Sequence, residues 1–511
     1  MVGAEHPLAI GVEGVSSSRA WFAAVIVAGF MTWPTNGSAQ AAAAPRDSIE
    51  GKWAGMAGLP TDRVQIAFEI KRDSVGKLRA YLYQEVSNFY GLLLPGEIVK
   101  QGDQYVLKEW SLKLTPTNGG LEGTYFSIPV PITLARTSSL PAEAPVPDLP
   151  RGPGPKWQAK LGGAIYAPAA ARDGVAYVGT AGGMFYAISL ADGKFVWAFA
   201  AGRPVFGGAA SMDGALFFVC DNGFLFKLDR ATGKEIWRYD LGDGTTPRIL
   251  LHQVIDNSGD FDFDTNAPTP TIAEGVVYVG SGDGSVHAVD ATTGKRIWRA
   301  AVKGKVRVTA TVDPTRVIVG TFDNLLYALD RKTGAERLKW DSRGPIVTSP
   351  ALVDDKLIVG NRNGLLAALN FVTGAVVWRV QMWGSSAESE ATPVGGSLFL
   401  FGSSDLRRVA LMDSKDGRVI WRTDVFGWPW PRPVLEGNTV FVSTVGAAPY
   451  QTRHLGALSA LDRATGKILW RWPMPEWPGS WTNGFHAPPI VTDNLVVVGG
   501  LDGSLYAFPA R

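Results

Sequence analysis

Seven side chains outside any repeated pattern have the chemistry to hold a ligand: Arg307, Glu390, Trp428, Trp430, Trp477, Trp481 and His486. A guanidinium and a carboxylate fix polar groups, a histidine exchanges a proton near neutrality, and tryptophans offer flat apolar faces with one N–H each. The tryptophans lie in proline-stiffened runs, GWPWPRP (427–433) and RWPMPEWPGSW (471–481). Such residues often anchor interfaces. One reading is a platform for stacking a sugar, a quinone or a peptide; the other is mutual packing of two long loops. A second cluster is acidic. Asp260, Asp262, Asp264 and Asn266 alternate, so oxygen ligands fall on one side of an extended loop, as Ca²⁺ binding would need. The EF-hand turn glycine and closing glutamate are absent, and a solvated acidic loop is the alternative. There is no His/Cys zinc spacing, no phosphate-binding loop and no defensible Ser-His-Asp order. The single cysteine, Cys220, forms no intramolecular disulfide and reads as a small buried hydrophobe within a strand.

These residues need a frame, and the frame is a repeat. DATTGKRIW (Asp290–Trp298) recurs as SLADGKFVW, DRATGKEIW, DRKTGAERL, NFVTGAVVW, DSKDGRVIW and DRATGKILW, with a trimmed GPKW ending at Trp157. The phrases end at 157, 197, 237, 298, 338, 378, 421 and 470, a period near 40, which marks a repeat array. Within one period, PTPTIA, VVYVGS, VHAVD and RIWRAAV read as four short strands separated by Gly/Asp turns, one blade of a β-propeller. The turn glycine of the phrase supplies positive φ, the aspartate bonds the turn backbone, and the Trp is a plate between neighbouring blades. The second-strand signature appears eight times. The chain beyond Trp470 holds only three strands of the eighth blade, so GPKWQAK must supply the fourth and close the ring. The expected fold is therefore all-β: an eight-bladed propeller over 156–511, closed by its own first strand.

The repeat VVYVGSGDGSVHAVDATTGKRIW resembles the pyrroloquinoline-quinone-like propeller repeat, over about 355 residues. That resemblance implies three kinds of relative: quinoprotein alcohol and glucose dehydrogenases, the propeller lipoprotein of the outer-membrane barrel-assembly machinery, and secreted binding propellers. The dehydrogenases carry a vicinal disulfide against the cofactor and Ca²⁺ held by Glu, Asn and Asp; one cysteine forbids the disulfide here. The barrel-assembly relative is a lipoprotein and lacks an N-terminal β domain.

Residues 47–136 alternate as short strands with turns at Asp73–Gly76 and Thr117–Gly120, predicting a small antiparallel barrel or sandwich. Their pattern resembles a lipocalin-like domain. Residues 137–155 hold six prolines and read as an extended, semi-rigid linker. Residues 1–41 read as a signal peptide, with Arg19, an apolar run at 20–33 and small residues around Ala39 and Ala41. The expectation is export to the periplasm or beyond, with no cysteine for lipid attachment and no membrane segment after cleavage. The balance of 49 basic and 47 acidic residues argues against nucleic acid.

In a propeller, the loops between blades share one rim with the loops joining strands two and three. The chain's insertions crowd that rim. Aligning the first-strand phrase (AlaProAla at 167–169, SerProAla at 349–351) and counting three positions back places Ile165, Val205, Ala267, Arg307, Val347, Glu390, Trp430 and His486 around the channel mouth. The function expected is a non-catalytic, monomeric binding propeller that takes a protein or small ligand there. A quinone- and Ca²⁺-dependent dehydrogenase is the alternative, and a barrel-assembly scaffold the third reading. Arg307 pairing with Glu390, with His486 satisfied at the rim, is the purely structural alternative.

Overall fold

The computed structural model describes residues 49–58, 63–85, 88–125, 130–244, 246, 248, 264–382, 386–404, 406–447, 454–475 and 482–511. The expected signal segment lies outside them. Among the described residues no helix is long and apolar enough to cross a membrane.

The N-terminal unit is one nine-stranded antiparallel sheet: β1 (Gly51–Ala57), β2 (Val64–Arg72), β3 (Leu78–Gln84), β4 (Phe89–Leu93), β5 (Val99–Gln101), β6 (Gln104–Leu107), β7 (Leu112–Thr117), β8 (Gly120–Tyr125) and β9 (Val130–Arg136). Its order, β4-β3-β2-β1-β9-β8-β7-β6-β5, is two meanders joined where β1 pairs β9. Alternate residues of the sheet, among them Trp53, Phe68, Leu82, Leu114, Tyr125 and Leu134, meet in a single core. A flat sheet cannot bring both its wings to one core, so the sheet curls into a half-barrel, the small antiparallel β unit that the alternation predicts. It leans on the propeller through Arg407, which donates to Asn88 Oδ1 (2.9 Å) and pairs with Asp424 (2.7 Å), while Asn88 donates to the Leu406 carbonyl.

The propeller has eight blades. Seven are continuous in sequence, the first being Ala170–Arg172, Val175–Gly179, Met184–Ser189 and Phe195–Ala200. The eighth combines Ile490–Thr492, Leu495–Gly499 and Ser504–Pro509 with Trp157–Lys160, so the expected closure holds. Successive blades pack through their buried second and third strands.

The repeat phrase explains its own composition. Asp290 Oδ1 accepts the Thr293 amide (2.7 Å) and hydroxyl (2.8 Å), closing the turn. Gly294 then takes φ 69°, and a Cβ there would stand 2.8 Å from the Trp237 ring of the preceding blade. The same contact recurs as Gly334 on Trp298 and Gly466 on Trp421, so this glycine answers both to backbone conformation and to the Trp face. Five of these Trp residues are also tied by their N–H to a carbonyl of the next blade, among them Trp197 to Arg230, Trp298 to Arg331 and Trp421 to Arg463. Trp237 departs from this. Lys227 Nζ takes the Ala291 carbonyl at 2.8 Å, and the Trp237 N–H has no partner among the described residues. The linker's end joins this scheme. Gly152 lies against Trp470 and donates its amide to the Arg471 carbonyl, while the Arg471 amide donates to the Pro150 carbonyl, so residues 150–152 dock in parallel along the blade's edge.

Candidate functional site

Entering six of the blades, the chain makes the same backbone bond: Ile165 to Gly500, Val205 to Thr180, Val306 to Ser281, Ile346 to Thr321, Ala387 to Asn361 and Phe485 to Thr444. The bonded residue is buried behind the small residue of a second strand, as Val306 is behind Gly280. The residues one and three positions later point into the channel. They form two stacked rings. The outer ring, toward the long loops, is Tyr166, Phe206, Ala267, Arg307, Val347, Glu388, Trp430 and His486; the inner ring is Pro168, Gly208, Thr269, Thr309, Ser349, Glu390, Arg432 and Pro488. Together they line a cavity of about 390 Å³.

This register corrects three positions of the sequence alignment. Ile165 and Val205 are the buried bonded residues, fully out of the channel, and Tyr166 and Phe206 stand in their place. Glu390 belongs to the inner ring, and Glu388, missed in the sequence, occupies the outer one. The cause is that the first-strand proline does not hold one register: Pro168, Pro350 and Pro393 sit at different steps of the inner strand. Counting the period from the buried apolar residue instead would have found all three.

Arg307 does not pair with Glu390. It is 5% exposed, and its guanidinium donates to Asp243 (2.5 Å) and Asp264 (2.9 Å). Burial works against its charge, but the two carboxylates outweigh that and hold its pKa above the ordinary arginine value. Arg248 grips Asp221 through two bonds of 2.7 Å and Asp264 through one of 3.0 Å. The expectation of a Ca²⁺ loop therefore meets, at Asp264, a carboxylate committed to two guanidiniums. Asp260 and Asp262 lie outside the described residues, and no cluster of three metal-ligating side chains occurs among those described. Arg362 pairs with Glu388 (2.9 Å), and Glu390 faces Arg432 more loosely at 3.9 Å. Burial pushes the Glu390 carboxyl upward, with Arg432 and the Ser349 hydroxyl pulling it back.

The segment after Asp264 crosses the mouth. Thr265 meets His486 Nε2 at 3.3 Å, and Asn266 donates to the Val347 carbonyl at 3.0 Å. His486 Nδ1 donates to the Tyr166 carbonyl (3.3 Å), which leaves Nε2 to accept from Thr265 and fixes a neutral ring. Burial holds its pKa down at about 4. The aromatic side is a packed wall: Tyr166 meets Phe206 edge-on at 5.1 Å and His486 at 5.0 Å, and Trp430 stacks on Trp428 at 4.6 Å. Trp430 Nε1 donates to Ser404 (2.9 Å), and Trp428 is buried against His454. So Trp430 borders the cavity while Trp428 backs it. Trp477 and Trp481 lie outside the described residues.

The pyrroloquinoline quinone that the fold family brings to mind is a tricarboxylate, and it needs unspent cations as well as a Ca²⁺ donor set. Here Arg248, Arg307 and Arg362 are already neutralised by the chain's own carboxylates. The described residues do not fit that group.

Eight four-stranded blades, Trp-anchored turns and a channel lined by inner strands define a propeller of the pyrroloquinoline-quinone-like class. The family model described as "Outer membrane protein assembly factor BamB" matches residues 154–251, 191–305, 227–394, 282–425 and 407–511, and the chain belongs to that family. No curated protein matches it in sequence. Solved structures share the fold at low identity. The quinohemoprotein alcohol dehydrogenase of Comamonas testosteroni is 16% identical with a TM-score of 0.51, covering 70% of this chain and 76% of its own. Sqt1 of Saccharomyces cerevisiae is 14% identical at 0.54, over 70% and 99%. The computationally designed Ika8 protein is 14% identical at 0.53, over 70% and 100%.

Proposed function

We propose that this is an exported, non-catalytic binding propeller whose ligand sits in the channel cavity under the long-loop rim. The observation that carries the reading is the state of the channel's reactive groups. Arg307, Arg248 and Arg362 are spent on internal carboxylates, and His486 is held neutral between two partners. Among the described residues no pair is set as nucleophile and base. What remains is a walled cavity of about 390 Å³, within the roughly 300–1,000 Å³ of ligand pockets, with aromatic faces and a few polar groups. Export is supported by the apolar run at 20–33 and the small residues that follow it.

Native mass spectrometry of the protein recovered from its own cells tests this, beside Thr309→Trp, which fills the channel. A bound small molecule lost in the variant is the expected result. A protein without adduct, or an adduct indifferent to the variant, overturns the reading. Turnover of alcohols or sugars after adding pyrroloquinoline quinone and Ca²⁺ would replace it with a dehydrogenase.

A further inference from the structure

We propose that the channel cavity is a site for a neutral, polyhydroxylated ligand, a short uncharged saccharide. The inference rests on the channel-binding reading above and names the chemistry of its ligand.

Charge comes first. The cations at and behind the cavity are Arg248, Arg307, Lys305, Arg362 and Arg432; the anions paired with them are Asp221, Asp243, Asp264, Glu388 and Glu390. Five meet five, and the described wall carries no net charge. An anionic or cationic ligand would have to take a partner away from one of these pairs, leaving its former partner exposed to a low-dielectric site. A neutral ligand leaves them intact.

Hydrogen-bond polarity comes second. Around the inner ring the Gly208 amide donates to the Thr269 hydroxyl (3.2 Å), the Thr269 amide to Thr309 (3.0 Å), and the Thr309 amide to Ser349 (3.1 Å). Each of these hydroxyl oxygens is thereby engaged as an acceptor, so its own O–H is what it offers the cavity. The Ser349 hydroxyl lies beside the Glu390 carboxyl and works to lower its pKa. Those of Thr269 and Thr309 have no acceptor among the described residues. With the exposed ends of Glu390 and Arg432, both signs of hydrogen bond are available along one arc. That suits hydroxyls, which donate and accept together.

The opposing arc supplies flat apolar faces. Trp430 is held by the Ser404 bond and the Trp428 stack, and Tyr166 and Phe206 stand across from the hydroxyls. A pyranose has one such face of C–H bonds and a rim of hydroxyls, and the two arcs match its two chemistries.

The test is an array of immobilised neutral, acidic and amino glycans, with an N-acetylated, C-amidated trialanine as a neutral peptide control. Any retained glycan is then titrated by calorimetry. Neutral glycans should be retained, and their uronic acid counterparts should bind at least about tenfold more weakly. Trp430→Ala should weaken the retained glycan about tenfold or more, and Thr309→Val about threefold to tenfold, the second with the chain still folded and its melting temperature lowered only by the loss of the Thr269 amide's acceptor. Retention of no glycan overturns the inference, as does retention insensitive to both variants. If no glycan is held but an adduct sensitive to Thr309→Trp persists in native mass spectrometry, the saccharide inference alone fails. Loss of both removes the channel reading too, and retention of the peptide alone reassigns the ligand to a neutral peptide.

Discussion

The two arcs of the channel are built from equivalent positions of one repeat, yet they are held in opposite ways. On blades three to seven the ring positions carry Thr269, Thr309, Ser349, Arg307, Glu388, Glu390 and Arg432, and most of these lean on one another through ion pairs or amide-to-hydroxyl bonds. On blades eight, one and two the same positions carry His486, Pro488, Tyr166, Pro168, Phe206 and Gly208, which are fixed by packing and ring contacts. The first arc is held by its buried ion pairs, where removing Arg307 or Arg362 strands a carboxylate, and by amide-to-hydroxyl bonds between its neutral members. The second is rigid because it is dense. A repeat architecture allows this because its walls are stabilised elsewhere, at the Trp–Gly contacts between blades, and leaves the ring positions free to differ.

If that contrast is right, Arg307→Ala should be the most damaging change at the mouth. It leaves Asp243 and Asp264 buried without their cation, and about 3–5 kcal/mol should be lost in denaturant unfolding. A loss below about 1 kcal/mol would mean that the charged arc is not held by its pairs. The aromatic arc should show itself in acid. His486 and His287 both have folded pKa values near 4 against an unfolded value of 6.5. The unfolded chain therefore binds more protons between these limits, so stability is full above about pH 6.5 and falls as pH drops toward 4, by up to about 3 kcal/mol per histidine. His486→Gln should make the fall shallower; a wild-type melting temperature flat across that window would contradict a neutral, buried ring. Trp430→Ala should separate binding from folding, with affinity down about tenfold and stability changed by about 1 kcal/mol, since the ring borders the cavity rather than filling a core. The smallest effect belongs to Glu390→Gln, within about 0.5 kcal/mol in unfolding, because the carboxyl is only loosely paired and burial already disfavours its charge.

The blades were legible in the chain because one nine-residue phrase carries three constraints at once: the aspartate cap, the glycine under the Trp, and the Trp itself. Leu338 shows how far the phrase bends, since it replaces the Trp and still receives Gly374. Closure was legible from an arithmetic deficit of one strand. The mouth was legible only in part. Arg307, Trp430 and His486 are where the period puts them, but Tyr166, Phe206 and Glu388 were missed because the first-strand phrase does not keep one register along the inner strand. Arg307's true partners, Asp243 and Asp264, come from a long insertion with no repeat counterpart, and no spacing rule reaches them. The N-terminal unit was legible as a small antiparallel β domain, since alternation reports which face is buried, though not whether the two edge strands meet.

Gln158 on the closing strand donates to Ser504, a residue 346 positions further along the chain. During synthesis the strand Trp157–Lys160 leaves the ribosome long before Ser504–Pro509 exists, and it must wait with one edge unpaired while seven blades accumulate. Its shortness, and Lys156 and Lys160 at its ends, make it a poor template for strangers in that interval. The annulus becomes a single cooperative body only when the final hairpin arrives, so any truncation before Ser504 should yield a C-shaped, protease-sensitive chain rather than a seven-bladed ring.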